Sequence, residues 1–133
     1  MLGGFLEQSS SDDGLYEIRS CSVEVLNHAL IAWQVHTRKN KTDLARESKI
    51  WSVHLESRGV FRTRNLDSYL NLHRLPRNPK WSKVLQTILF VLSQIPADHP
   101  DSISLSTSYQ HFSALLHQRL HLLEFKTSKI RPQ

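Results

Sequence analysis

The sequence has one cysteine, four glycines and five prolines among 133 residues. A lone Cys21 excludes an intramolecular disulfide and any zinc site built on two or four thiolates. It points to a reducing compartment. Few glycines argue against a Gly-rich phosphate loop. Few glycines and prolines together argue against collagen-like, linker-rich or loop-dominated all-β architectures. There is no G-x-S-x-G nucleophile elbow. Long apolar runs are missing as well. Val84 to Ile95 is the longest and holds Gln86, Thr87, Ser93 and Gln94, so no membrane span is expected. The first 14 residues carry Glu7, Asp12 and Asp13 with no basic cluster, so no secretory leader is expected either.

What is present has the balance of a soluble globular chain, with 39% hydrophobic and 22% charged residues. The length fits one domain, which can bury about two-thirds of its unfolded surface without a metal or disulfide. The net charge of +5 is unevenly placed. Residues 1–37 carry one basic and five acidic residues, residues 38–83 carry twelve and four, and residues 84–133 carry four and three. The middle segment is therefore the basic one. Such a segment attracts nucleic acid, an anionic membrane surface or an acidic protein face.

Hydrophobic spacing predicts helices. Residues 1–19 read as a flexible polar lead, and 20–126 as the helical domain. Residues 127–133, with Lys129 and Arg131, read as a basic tail. In the domain, Ser20 or Ser22 precedes Val23, Leu26, Leu30 and Trp33, a helix apolar nearly all round and expected to be central, ending near Thr37. Thr42-Asp43 then caps a second helix carrying Leu44, Trp51 and Leu55 to about Arg58, with Gly59 as its C′ residue. A third, shorter helix carries Leu66, Tyr69, Leu70 and His73 and stops before Pro76. Asn78-Pro79 reads as cap and first turn of a fourth, with Trp81, Val84, Leu85, Ile88, Leu92 and Ile95 on one face and Pro96 as its stop. A last helix begins in Ser102–Ser108 and carries Phe112, Leu115, Leu116, Leu122 and Leu123. The expectation is an all-α, single-domain bundle of about five helices, with neighbours antiparallel.

Chemistry is sparse. His117 and His121 lie one turn apart, with His111 nearby, but Gln118 stands where the HExxH pattern needs Glu. These read as helix-surface histidines and not as a metal site. Cys21 near a helix start invites an activated thiol, but a structural cysteine is the plainer reading. No catalytic, cofactor or metal residue is assigned, and the chain is not expected to be an enzyme.

The basic segment is more informative. Arg58, Arg62, Arg64, Arg74, Arg77, Lys80 and Lys83 are interleaved with Phe61, Tyr69 and Trp81. They are the candidate partner-binding residues, and such a set can contact a phosphate backbone. Trp33, Trp51 and Trp81 resemble the spaced tryptophans of Myb-like DNA-binding repeats. Their gaps are 18 and 30, so one spacing fits, and three core tryptophans explain them equally well. A basic helical nucleic-acid-binding module is therefore one of two functional readings.

The other comes from codon economy and pattern. Leu and Ser are the commonest residues, Arg and His are abundant, and Leu, Ser and Arg each have six codons. That bias is common in proteins encoded in a second frame over another gene, as in viral accessory proteins. The stretch from Gln86 to Asp98, then Ile103-Ser104-Leu105 and the leucine-rich Phe112 to Phe125, resembles the C-terminal region of paramyxovirus C proteins. There too an apolar helix ends in Ile-Pro and an acidic residue before a Leu-rich helix and a basic tail. The resemblance implies a non-enzymatic accessory protein from an overlapping frame of the phosphoprotein gene. It would antagonise interferon responses and modulate viral RNA synthesis. Its partners would be host signalling proteins or the viral polymerase complex, in host cytoplasm, with the nucleus as the alternative. The basic set from Arg58 to Lys83 would supply its anchors.

Overall fold

The computed structural model describes the backbone of residues 10–130 and the side chains of 14–119. It holds five α-helices: α1 Ser10–Thr37, α2 Lys41–Ser48, α3 Arg64–Tyr69, α4 Trp81–Leu92 and α5 Pro100–Ile130. The chain is an all-α bundle, with one small antiparallel hairpin (β1 His54–Leu55, β2 Phe61–Arg62) between α2 and α3.

The first helix organises the rest. Ile18, Ser22, Val25, Leu26, Ala29, Ala32 and Trp33 recur at helical spacing and are buried, so one continuous stripe faces inward. α2, α3, α4, α5 and a 3₁₀ turn at Leu72–Arg74 all pack against it. The helix is central as expected, but it is not buried all round. Ile31 and Val35 are 58% and 59% exposed. It also starts earlier than the Ser20 or Ser22 cap. Residues 10–19 of the expected flexible lead are helical, and residues 1–9 lie outside the described residues. α1 ends where Arg38 turns left-handed (φ 61°). There the Arg38 amide donates to the Gln34 carbonyl at 3.0 Å.

Helix α2 is shorter than the sequence suggests. Its cap is Asn40 and not Thr42: Asn40 Oδ1 accepts from the Asp43 amide, and Asp43 Oδ2 accepts from the Asn40 amide. This reciprocal box satisfies two free amides of the first turn. The helix stops at Ser48 because Lys49 is left-handed (φ 60°). The turn releases Trp51 from helical register and sends it into the core. Gly59 keeps the positive φ of a C′ glycine (78°), but uses it to close the hairpin turn Glu56–Gly59.

Helix α3 buries Leu66 and Tyr69 and is followed by the 3₁₀ turn, so the third helical segment breaks in two before Pro76. Asn78-Pro79 does not start α4. That helix begins at Trp81 without a side-chain cap, and the preference for proline at the first helical position is met instead by Pro100 at the head of α5. α4 buries Val84, Thr87, Ile88 and Val91, and α5 meets it with Leu105, Phe112 and Leu116. Of the expected basic tail, 127–130 continue α5, and 131–133 lie outside the described residues. No helix among the described residues is long and apolar enough to cross a membrane.

Candidate nucleic-acid interface

The basic segment from Arg38 to Lys83 runs back along α1, from Asn40 beside Trp33 to Leu75 and Pro76 beside Arg19, as α2, the hairpin, α3, the 3₁₀ turn and the start of α4. Side chains of α1 fix its second half. Arg19 donates from Nη1 to the Pro76 carbonyl at 2.9 Å and from Nη2 to the Leu75 carbonyl at 3.1 Å. Asn27 donates to the Leu70 carbonyl at 3.0 Å. Tyr69 accepts the Lys80 amide at 2.8 Å and packs edge-on to Trp51 with ring centroids 4.9 Å apart. A loop of this length with so many fixed carbonyls presents Arg74, Arg77 and Lys80 from a defined backbone.

The first half is tied together by charge. The Arg46 guanidinium lies 4.7 Å from the Phe61 ring centroid, linking α2 to the hairpin by a cation–π contact. Lys41 pairs with Asp67, linking α2 to α3. Glu56 on the hairpin accepts from Arg64 at 2.7 Å and pairs with Arg62 at 3.4 Å. The Arg64 hydrogen bond, then the Arg62 charge, hold the Glu56 carboxyl below its ordinary range.

The four carboxylates of the segment are thereby used up. Asp43, Glu47, Glu56 and Asp67 each pair with Arg46, Lys39, Arg62 and Arg64, or Lys41. Seven cations remain with no carboxylate in ion-pair reach among the described residues: Arg38, Lys49, Arg58, Arg74, Arg77, Lys80 and Lys83. All but Lys83 are exposed, and Lys83 is half-buried with its ammonium 5.3 Å from the Trp51 ring centroid. An excess of unneutralised charge on a fixed backbone is what a polyanion recognises.

Of the seven candidate residues, five (Arg58, Arg74, Arg77, Lys80 and Lys83) carry free charge. Arg58 stands at the hairpin tip, and Arg62 and Arg64 stand at its base, gathered by Glu56. The charge pattern missed Arg38 and Lys49. Their signal lay in the same basic run, but helical reading placed Lys49 inside a helix and Arg38 in a break. The aromatics are corrected: Tyr69 is 6% exposed and belongs to the core, while Trp81 is half-buried against Phe112. Trp33 and Trp51 are both buried, so burial accounts for their spacing.

The other sequence candidates do not assemble. His111 and His117 are exposed on α5, and the His121 side chain lies outside the described residues. Cys21 sits within α1 and not at its start. Burial, then Glu24 and Glu17, push its thiol up, the reverse of activation. It lines a cavity of about 410 Å³ with Glu24, His28, Thr107, Ser108 and His111.

Comparison with solved structures adds a further observation. The crystal structure of the DNA-binding domain of the sensor histidine kinase ChiS from Vibrio cholerae matches 80% of this chain and 98% of that domain, with a TM-score of 0.73 and 27% sequence identity. This chain is similar to a DNA-binding domain. The match takes in nearly the whole of that domain and is carried by sequence as well as shape. No protein-family model matches the chain, and no curated protein matches it.

Proposed function

We propose that this chain is a DNA-binding helical module whose phosphate contacts come from the hairpin, the 70–80 loop and the first turn of α4. The observation that carries the reading is the coincidence of two facts. The fold and sequence are similar to a DNA-binding domain over almost all of that domain, and the segment 38–83 leaves seven cations without a carboxylate partner among the described residues. Arg58, Arg74, Arg77, Lys80 and Lys83 supply charge, with Arg38 and Lys49 extending the surface. Arg62 on the hairpin and Arg64 at the head of α3 are gathered by Glu56, and their guanidinium forks suit bidentate contacts. Exposed Leu55, Val60 and Phe61 give the hairpin an apolar side that suits contact with sugars or base edges.

The test is DNA binding by a variant with Arg74, Arg77 and Lys80 all changed to Ala. None of the three side chains makes a hydrogen bond or ion pair among the described residues, so helicity and melting should hold while affinity for duplex DNA drops. An unchanged affinity removes this loop from the interface. The competing proposal is the viral accessory role implied by residues 86–125. It expects the same variant to lose interferon antagonism or polymerase control in a chain that binds no DNA.

A further inference from the structure

Away from the basic surface, the C-terminal end of α1 meets the N-terminal end of α5, and three metal-ligating side chains converge there. His36 Nε2 lies 2.8 Å from Asp101 Oδ2, and His99 Nδ1 lies 3.8 Å from the same oxygen. The two imidazoles pack edge to face with centroids 4.5 Å apart. One donor atom from each residue lies within 4.8 Å of the others. We propose that His36, His99 and Asp101 form a binding site for a divalent transition-metal ion of the zinc class.

The donor chemistry fits. Two imidazole nitrogens and one carboxylate oxygen suit Zn²⁺, Co²⁺ or Ni²⁺, and not the all-oxygen preference of Ca²⁺ or Mg²⁺. Tetrahedral bonds of about 2.0–2.1 Å place ligand atoms some 3.3 Å apart. The 2.8 Å contact opens slightly and the 3.8 Å contact closes slightly to reach that value, both within side-chain rotation. Three protein ligands leave a fourth position for water.

The Asp101 amide donates to His99 Nδ1 at 3.0 Å, so that nitrogen is the unprotonated one, and its lone pair must leave this amide to take the ion. The His36–Asp101 contact holds a single proton between nitrogen and oxygen, where a cation would stand. Helix dipoles alone account for a carboxylate at the head of α5 and a histidine at the end of α1. The His99–amide bond alone accounts for a cap. Together these contacts gather three donor groups at one place, which is what an ion would use. His36 is well covered, with its side chain 13% exposed, while His99 and Asp101 are 41% and 47% exposed. An ion can therefore enter from the α5 side. Once bound, it joins residues 36 and 101 and staples the two longest helices at one end.

The experiment titrates tag-free full chain with Co²⁺ alone and follows the visible absorption of tetrahedral cobalt, then repeats it with Zn²⁺ by calorimetry. One ion should bind per chain, and excess Zn²⁺ should raise the melting temperature. His99→Gln and Asp101→Asn, both at exposed side chains, should weaken binding by at least about tenfold while helicity is kept. His117→Gln should leave it unchanged. The proposal is overturned if no saturable binding appears up to about 1 mM Co²⁺. It is equally overturned if both ligand variants bind as the parent does, which would send the ion to other histidines. The outcome is independent of DNA binding, since none of the three residues belongs to the basic surface.

Discussion

Trp51 donates its indole N–H to Thr87 Oγ1 at 2.8 Å, and Thr87 in turn donates to the Lys83 carbonyl at 2.7 Å. The pair is buried, and it locks the turn after α2 onto α4. Thr87→Val keeps the shape and removes the acceptor. The orphaned indole N–H should cost about 1–3 kcal/mol of stability, read from urea denaturation. A variant as stable as the parent would show that the contact does not hold the turn.

Lys49 sits in a left-handed conformation that glycine adopts freely, and it ends α2 with an exposed, unpaired ammonium. Lys49→Gly should relieve that strain and leave the fold at least as stable, by up to about 1 kcal/mol. The same change removes a charge from the interface, so affinity for DNA should fall by a few-fold. An unchanged affinity would contradict the assignment of Lys49 to the surface, and a loss of stability would contradict the strain.

Glu56 tests the charge balance from the other side. Its folded carboxyl is held below the ordinary value by Arg64 and then by Arg62. The resulting stabilisation is present above the unfolded carboxyl value, about 4.3, and is lost as pH falls through the depressed folded value. Glu56→Gln should therefore flatten this acid-side loss in a denaturation series from neutral pH to about pH 3. At neutral pH it removes a negative charge beside two arginines and should raise affinity for random-sequence duplex. A fall in affinity would mean that Glu56 acts chiefly by orienting Arg62 and Arg64.

The sequence made the helices legible where burial follows a 3.6-residue period, as in Val84, Ile88 and Val91 of α4 or Leu26, Ala29 and Trp33 of α1. It failed where one residue changes backbone handedness. Trp51 and Leu55 sit at helical spacing from Leu44, so nothing in the pattern announced that Lys49 would turn left-handed and give Leu55 to a strand. Gly59 is the positive-φ stop that its place in the sequence suggests, in a hairpin instead of a helix end. The apolar pattern behind the resemblance to paramyxovirus C proteins falls on α4, α5 and the turn between them, where Ile88, Val91, Ile95, Leu105, Phe112 and Leu116 are buried. The basic surface was legible as a charge run. Which of its members are free was not, because neutralisation depends on pairs such as Lys41 with Asp67 and Arg64 with Glu56 that only the fold brings together. The His36, His99 and Asp101 cluster was invisible for the same reason. His36 lies 65 residues from Asp101.

The salt dependence of DNA affinity is the most direct test of the central claim. Affinity for a short duplex is measured by fluorescence anisotropy between about 50 and 200 mM salt and plotted on logarithmic axes. Each phosphate contact should add about 0.9 to the steepness, so a surface of this kind predicts a slope of several units. Loss of Arg74, Arg77 and Lys80 should reduce the slope by about two to three. A chain that shows no binding at the lowest salt, or an affinity indifferent to salt, contradicts the account.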